Sequence, residues 1–520
     1  MAVLSVFRRL LIRCLTCWWW LLPGCLGALP GWAQAPAGGS YVQFAAGTAP
    51  AARVRRAATV APTSRQLRWQ QLELTGFLHF GLNTFTNREW GDGTESPALF
   101  NPPALDARQW VRLCRKGGIR QVILTAKHHD GFCLWPSAYT EHSVKNSPWR
   151  GGRGDVVGEV AAACRAEKLG FGIYLSPWDR HSPLFGDSAR YNDYFVGQLT
   201  ELLTNYGRVD EVWLDGANGE GPKGRQQVYD FARWYALIRR LQPTAVIAVM
   251  GPDVRWVGTE SGYGRPTEWS VVPLAQQGPA GVAARSQHDV NFQPRNLLAD
   301  DLGSRAKIAQ APALTWYPAE VDVSIRPGWF YHPAEDRQVK TPAQLLGIYH
   351  GSVGRNGVLL LNVPPDRRGR LAAADSASLL GFRALLARTY AHNQLTGARV
   401  REASARQTRA LLDHDFATHW AAPGADTTAT LTFALPATRR FDTLVLQEHI
   451  AQGQRIERFV LEYQQRGRWR ALAAGTTVGY KRIVRFAPQR ARVVRLRILS
   501  ARLTPTLSFI GLYQQAPAAR

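Results

Sequence analysis

Cysteine is scarce in this chain: six among 520 residues. Cys14, Cys17 and Cys25 fall in the first 25 positions, leaving Cys114, Cys133 and Cys164 for the folded part. Three cannot all pair, so a disulfide scaffold is excluded, and their apolar settings (VRLC, GFCLW, AAAC) mark small buried hydrophobes. They show no CxxC or Cys/His ligand spacing, which argues against a metal centre. Lysine is also rare, eight residues against 55 arginines, while 39 Asp and Glu leave a net charge of +24. Such a charge would suit nucleic acid. The arginines are dispersed, however, and no helix-turn-helix, zinc finger or RNA-binding motif accompanies them, so no nucleic-acid partner is expected. No apolar run is long and clean enough to span a membrane. The longest, CLTCWWWLLPGCLGALPGWAQA, is broken by Pro23, Gly24 and Gly27. With Arg8, Arg9 and Arg13 before it and Ala33-Gln34-Ala35 at its end, residues 1–35 read as a signal peptide. That predicts export to the periplasm or beyond the cell, with lipidation at Cys25 in Leu22-Pro23-Gly24-Cys25 as the alternative.

What remains is ample for folding. A hydrophobic content of 45% with 20% charged residues excludes a disordered chain, and the length calls for more than one domain. Residues 36–65 read as an extended lead-in. From residue 66 to 393, short apolar runs alternate with amphipathic ones: strands at 75–85, 121–130, 170–179, 209–216, 245–251, 255–260, 321–325 and 357–364. Helices are expected at 106–118, 154–170, 190–207, 227–243 and 371–389. Nearly all-apolar strands alternating with helices predict an α/β fold with a parallel sheet. About eight strands, with no glycine-rich nucleotide loop after the first, favour a (β/α)8 TIM-like barrel. Over residues 394–520 the periodicity changes to two (TATLTFAL, DTLVLQEHI, RVVRLRIL), which predicts a C-terminal antiparallel β-sandwich.

Chemistry in such a barrel sits where strands end. The expected ends carry His79, followed by Glu89 and Trp90; Lys127-His128-His129-Asp130; Tyr174 and Ser176-Pro177-Trp178-Asp179; Trp213-Leu214-Asp215-Gly216; and Gly258-Thr259-Glu260. Glu211, Trp213 and Asp215 share one strand face, which puts Asp215 at the barrel mouth behind an aromatic ring. A turn or helix cap is the alternative role for Asp215. Glycoside cleavage needs two carboxyl groups flanking the scissile bond. Glu260, in the glycine-containing VGTESGYG, is the best partner for Asp215, with Asp130, Asp179 and Glu220 as competitors. Adjacent histidines on a strand point to opposite sides, and no HExxH frame surrounds them. His79, His128 and His129 are therefore expected to bind sugar hydroxyls rather than metal. Aromatic side chains near strand ends, among them Trp90, Trp178, Trp213 and Trp329, supply apolar faces for sugar C–H groups.

Six segments in fixed order, HFGLNTFTNREWGDG, ILTAKHHDGFCLWPS, GIYLSPWDRH, EVWLDGANGEG, WVGTESGYG and EVDVSIRPGWFYH, resemble the α-L-fucosidases of glycoside hydrolase family 29. The resemblance implies a retaining exo-hydrolase acting on fucosylated oligosaccharides or glycoconjugates without a cofactor. It further implies Asp215 as nucleophile and Glu260 as the acid/base of the subgroup that prefers α-1,3/1,4-linked fucose. By motif position, His79, Glu89, Trp90, His128, His129, Tyr174, Trp213, Arg326 and Trp329 would form the fucose pocket. The C-terminal region resembles the discoidin or coagulation-factor type C modules, in which Asp413, Asp415 and Thr418-His419-Trp420 stand where a structural Ca²⁺ is often held. Two other readings stay open at this level: a carbohydrate-binding protein with an inactive barrel, and an exo-glycosidase for an L-galactose-configured sugar.

Overall fold

A computed structural model describes residues 39–274 and 301–517. The expected leader and Cys25 lie outside the described residues, and no described helix is long and apolar enough to cross a membrane. Residues Pro36–Arg520 form one compact unit.

Eight parallel strands build a nearly closed barrel: β1 (Leu74–Leu78), β2 (Gln121–Lys127), β3 (Gly170–Leu175), β4 (Glu211–Leu214), β5 (Val246–Val249), β6 (Arg255–Trp256), β7 (Ala319–Ser324) and β8 (Gly357–Asn362). Their order round the sheet is β5-β4-β3-β2-β1-β8-β7-β6, and a parallel bridge from Ala248 to Val254 joins the two ends. Apolar residues of these strands fill the interior, including Phe77, Ile123, Val246, Val358 and Leu360. A helical layer packs outside: α1 (Ala107–Lys116), α2 (Val156–Glu167), α3 (Ser188–Asn205), α4 (Phe231–Leu241), α5 (Pro342–Gly351) and α6 (Ala373–Thr389). The first four begin on an aspartate whose carboxylate accepts a first-turn backbone N–H: Asp106, Asp155, Asp187 and Asp230. Four of the 39 acids thus serve as helix starts. Cys114, Cys133 and Cys164 are free and buried, as small hydrophobes would be.

Two expectations need correction. The lead-in is not extended: Pro50–Ala57 and Ser64–Gln70 are helices, the second closed by a Thr63/Gln66 capping box. Tyr41–Gln43 pairs antiparallel with Ala313–Trp316. The expected sixth strand is only Arg255–Trp256, because the chain then leaves the barrel for a small antiparallel sheet of Val271–Leu274 with Ala313–Trp316.

The C-terminal strands are antiparallel. Long strands Ala429–Gln447 and Arg482–Ala501 pair with each other, then with Phe509–Tyr513 and Ile456–Gln465, which pairs with Arg468–Gly475. Phe433, Phe459, Leu461, Val494 and Leu496 make this region's own core. Val445, Ile483, Phe509 and Tyr513 instead pack into the barrel's helical layer.

Candidate active site

The polar residues gather at the C-terminal ends of β1 to β4 and β7. Asp215 follows β4 directly, and its carboxylate is held at both oxygens. Oδ1 accepts the Ala217 N–H at 2.7 Å, and Oδ2 accepts the Tyr174 hydroxyl at 3.0 Å. His129 Nε2 stands 4.0 Å from Oδ2, and the Asp215 side chain is 23% exposed, open to a ligand at the mouth.

Three imidazoles line this mouth, and their neighbours decide where each proton sits. Asn362 Nδ2 donates to Ser324 Oγ and to the Trp329 carbonyl, so its Oδ1 must accept from His79 Nδ1–H at 2.9 Å. His79 Nε2 is then an acceptor. Ser176 Oγ–H donates to the Trp178 carbonyl and accepts from His129 Nδ1–H at 2.8 Å, making His129 Nε2 an acceptor too. Asn83 Nδ2 donates to the Glu89 carbonyl and to His128 Nδ1, which leaves His128 Nε2–H as a donor. Burial keeps all three neutral: His79 is lowered to about 3, His128 well below the usual imidazole range, and His129 is lowered despite the opposing pull of Asp215. The site can therefore read a hydroxyl's donor and acceptor sides without carrying imidazolium charge.

The adjacent histidines do not point to opposite sides. Strand β2 ends at Lys127 with a register irregularity after Thr125, so alternation is broken before His128. The two rings lie 4.2 Å apart in one pocket. Lys127 goes the other way, buried against Asp179 at 2.9 Å, and that pairing removes Asp179 from the catalytic candidates. Asp130 is buried too, its carboxyl pushed up to about 7 by burial, whereas Glu220 is exposed in the loop after β4. Gly131 is required beside them: its φ is +77°, and a Cβ there would meet Asp179 Oδ1 at 2.4 Å.

Aromatic rings form the walls. Tyr174 stacks on Trp213 at 5.1 Å, Trp329 lies 5.1 Å from His79, and Phe330 packs edge-on against His79 and His128. Trp90 is 58% exposed and touches His129 and Trp178 by its edges. Glu89 does not face the pocket with free oxygens. It accepts the backbone N–H groups of Trp329 (2.7 Å) and Phe330 (3.2 Å) and bonds His332 Nε2 at 2.5 Å, so it holds the loop after β7. Trp329 Nε1–H in turn donates to the exposed Glu260 at 3.2 Å, which ties Glu260 to the pocket rim. Arg326 is fully buried and committed to Asp375 (2.9 Å) and Asp336 (2.8 Å). Its guanidinium braces the loop and offers nothing to a ligand, which corrects the pocket role expected for it.

Sequence reasoning missed the residues behind the pocket. Asn83, Ser176, Asn362 and His332 orient the histidines and Glu89; Asn362 and Ser176 stand at strand ends and Asn83 and His332 in the recognised segments, but no role was read from them. Glu320 was also missed. It accepts Trp213 Nε1–H at 2.6 Å inside the barrel, and Glu211 accepts Trp69 Nε1–H at 2.9 Å. Burial raises both carboxyls, and the charge of Glu211 raises Glu320 further.

In the C-terminal region Asp413 accepts the Asp415 N–H and the Thr418 hydroxyl, and Asp415 accepts the Ala417 N–H. Both carboxylates cap their own turns. Among the described residues no group of three or more His, Cys, Asp or Glu stands together to hold a metal.

A parallel barrel whose mouth combines an oriented carboxylate, a second carboxylate at the rim, neutral imidazoles and aromatic walls defines a glycoside hydrolase. The chain matches the alpha-L-fucosidase family over residues 67–389 and the F5/8 type C domain over 394–508. It belongs to the α-L-fucosidase family and is a glycoside hydrolase of that activity. Alpha-L-fucosidase 1 of Arabidopsis thaliana is 42% identical over 464 residues, covering 87% of each chain. A solved structure assigned as an α-L-fucosidase of Bacteroides ovatus is 49% identical, with a TM-score of 0.83, 92% of this chain and 78% of that one covered. A Ruminococcus gnavus glycoside hydrolase family 29 fucosidase, solved in complex with fucose, is 30% identical with a TM-score of 0.76, covering 88% and 95%.

Proposed function

We propose that the enzyme is a retaining exo-α-L-fucosidase that prefers α-1,3/1,4-linked fucose on branched glycans. In this reading Asp215 attacks the anomeric carbon while Glu260 protonates the departing oxygen. Glu260 then deprotonates the water that releases fucose. The observation that carries the assignment is the Asp215 carboxylate, aimed by Tyr174 and Ala217 at an open mouth beside His129. His79, His128 and His129 read the sugar hydroxyls, and the Phe330 and Trp329 rings face its apolar side. Trp90, exposed, is available to close over a bound sugar. The linkage preference rests on Glu260 in VGTESGYG, which matches that subgroup's acid/base position. Export through residues 1–35 is proposed with it.

Asp215→Asn is expected to lower kcat by about three orders of magnitude or more with an unchanged melting temperature. Near-wild-type turnover would overturn the nucleophile assignment. The anomer first formed, followed by NMR, must be α for a retaining enzyme. Rates on a Lewis trisaccharide, an aryl fucoside and a 2-linked fucoside test the linkage preference.

A further inference from the structure

At the opposite end of the barrel from the catalytic mouth lies a cleft of about 390 Å³. Its walls come from the starts of β2, β3, β4 and β5, the helix Ser64–Gln70 and the C-terminal end of α2. Six cations line it, Arg65, Arg68, Arg120, Arg165, Lys168 and Arg208, against one acid, Asp210. Among the described residues most arginines that are held in place meet a carboxylate; here four of the six cations do not. Arg65 pairs with Asp253, and Arg208 with Asp210. Arg120 and Arg165 donate to the carbonyls of Gln71 and Tyr206, which orient the guanidinium groups without cancelling their charge. Glu73, the nearby acid that feels Arg120, is already paired with Lys481. Arg68 and Lys168 are exposed on the rim. Like charges gathered round a concavity with low-dielectric walls focus a positive potential, and an anion relieves their repulsion.

We propose that this cleft binds the sulfate, phosphate or carboxylate groups of an anionic glycan, and so anchors the enzyme on a charged polysaccharide while the mouth stays free. Guanidinium forks match such oxyanions in pairs. Leu72, Leu169, Phe171 and Val246 also line the cleft. The volume lies in the range of single-ligand sites. A nucleic acid would want exposed aromatic platforms along a track, whereas Trp69 and Phe171, the aromatic side chains of its lining, are buried. The cationic site stands on its own geometry; the choice of a glycan as carrier rests on the fucosidase reading.

The test is binding of the full-length enzyme to dextran sulfate, uncharged dextran and duplex DNA by calorimetry at several salt concentrations. Dextran sulfate is expected to bind with strong salt dependence and uncharged dextran not at all. R68E/K168E, and the milder R68Q/K168Q, should weaken dextran sulfate binding at least tenfold and about threefold. Both should leave aryl-fucoside hydrolysis unchanged. R439E/R440E, in the exposed part of the C-terminal strands, should bind as wild type does. Equal loss in R439E/R440E would mean diffuse charge and overturn the site. DNA bound as tightly as dextran sulfate would overturn the glycan. A wild-type enzyme that binds dextran sulfate but fails to release fucose would defeat the functional reading and leave the anion site standing.

Discussion

Polar side chains at the barrel mouth are held by partners set behind them. Tyr174 aims Asp215, Asn362 assigns the proton of His79, and Ser176 assigns that of His129. Glu320, buried beside Glu211, does the same for Trp213 by accepting its indole N–H. In the native state this pair retains a proton that the unfolded chain releases above the ordinary carboxylate range. Its stabilising effect is therefore complete at acid pH and is lost as pH rises from about 4.5 upward. Gln at 320 can still accept from Trp213 and donate an amide N–H to Glu211, with no proton to lose. E320Q is expected to hold near-wild-type kcat/KM at pH 6 and to show a smaller drop in melting temperature between pH 5 and 8.5. An equal drop in both proteins, followed by differential scanning fluorimetry, would remove the buried Glu320 carboxyl from the account. E320A leaves Trp213 without its acceptor and should lower kcat/KM about tenfold, the effect of a lost charge-assisted hydrogen bond.

At the scale of elements, the loop after β7 carries one wall of the pocket. Glu89, from the loop after β1, clamps it by two backbone N–H groups and His332, while Arg326 braces it from behind. Replacing Glu89 with Ala frees Trp329 and, through it, Glu260. The expected result is a KM raised about tenfold, with a red-shifted tryptophan emission as Trp329 gains water. Unchanged KM and emission would mean that the loop holds its place without the clamp. Glu89 stands in the recognised HFGLNTFTNREWGDG segment, so its importance was legible. Its actual task was not, because the groups it binds are about 240 positions away in sequence.

For the whole molecule, the C-terminal strands are part of the barrel's support. Val445, Ile483, Phe509 and Tyr513 lie in the barrel's own apolar cluster, Lys481 pairs with Glu73 just before β1, and Asn356 accepts the Tyr480 N–H at 2.7 Å. A chain ending at residue 393 would expose that apolar surface and strand the buried polar groups. It is expected to be insoluble or to melt at least 10 °C lower; a truncated protein as stable and active as the full chain would show the contacts to be incidental.

The sequence by itself determined the alternation of apolar strands and amphipathic helices, the change to period two near residue 394, and the clustering of chemistry at strand ends. These follow from side-chain periodicity, which is local. It also marked Asp215 and the three histidines, because polar residues that end apolar strands stand out from their neighbours. Only the tertiary structure decided how those groups are protonated and aimed. His79 meets Asn362 across 283 positions and Trp213 meets Glu320 across 107, and neither pairing leaves a local pattern. The same holds for Arg326, which its motif marked for the pocket and Asp375 drew into the wall. Hydrogen bonds and ion pairs are settled by what folding brings within about 3 Å, a distance unrelated to separation along the chain.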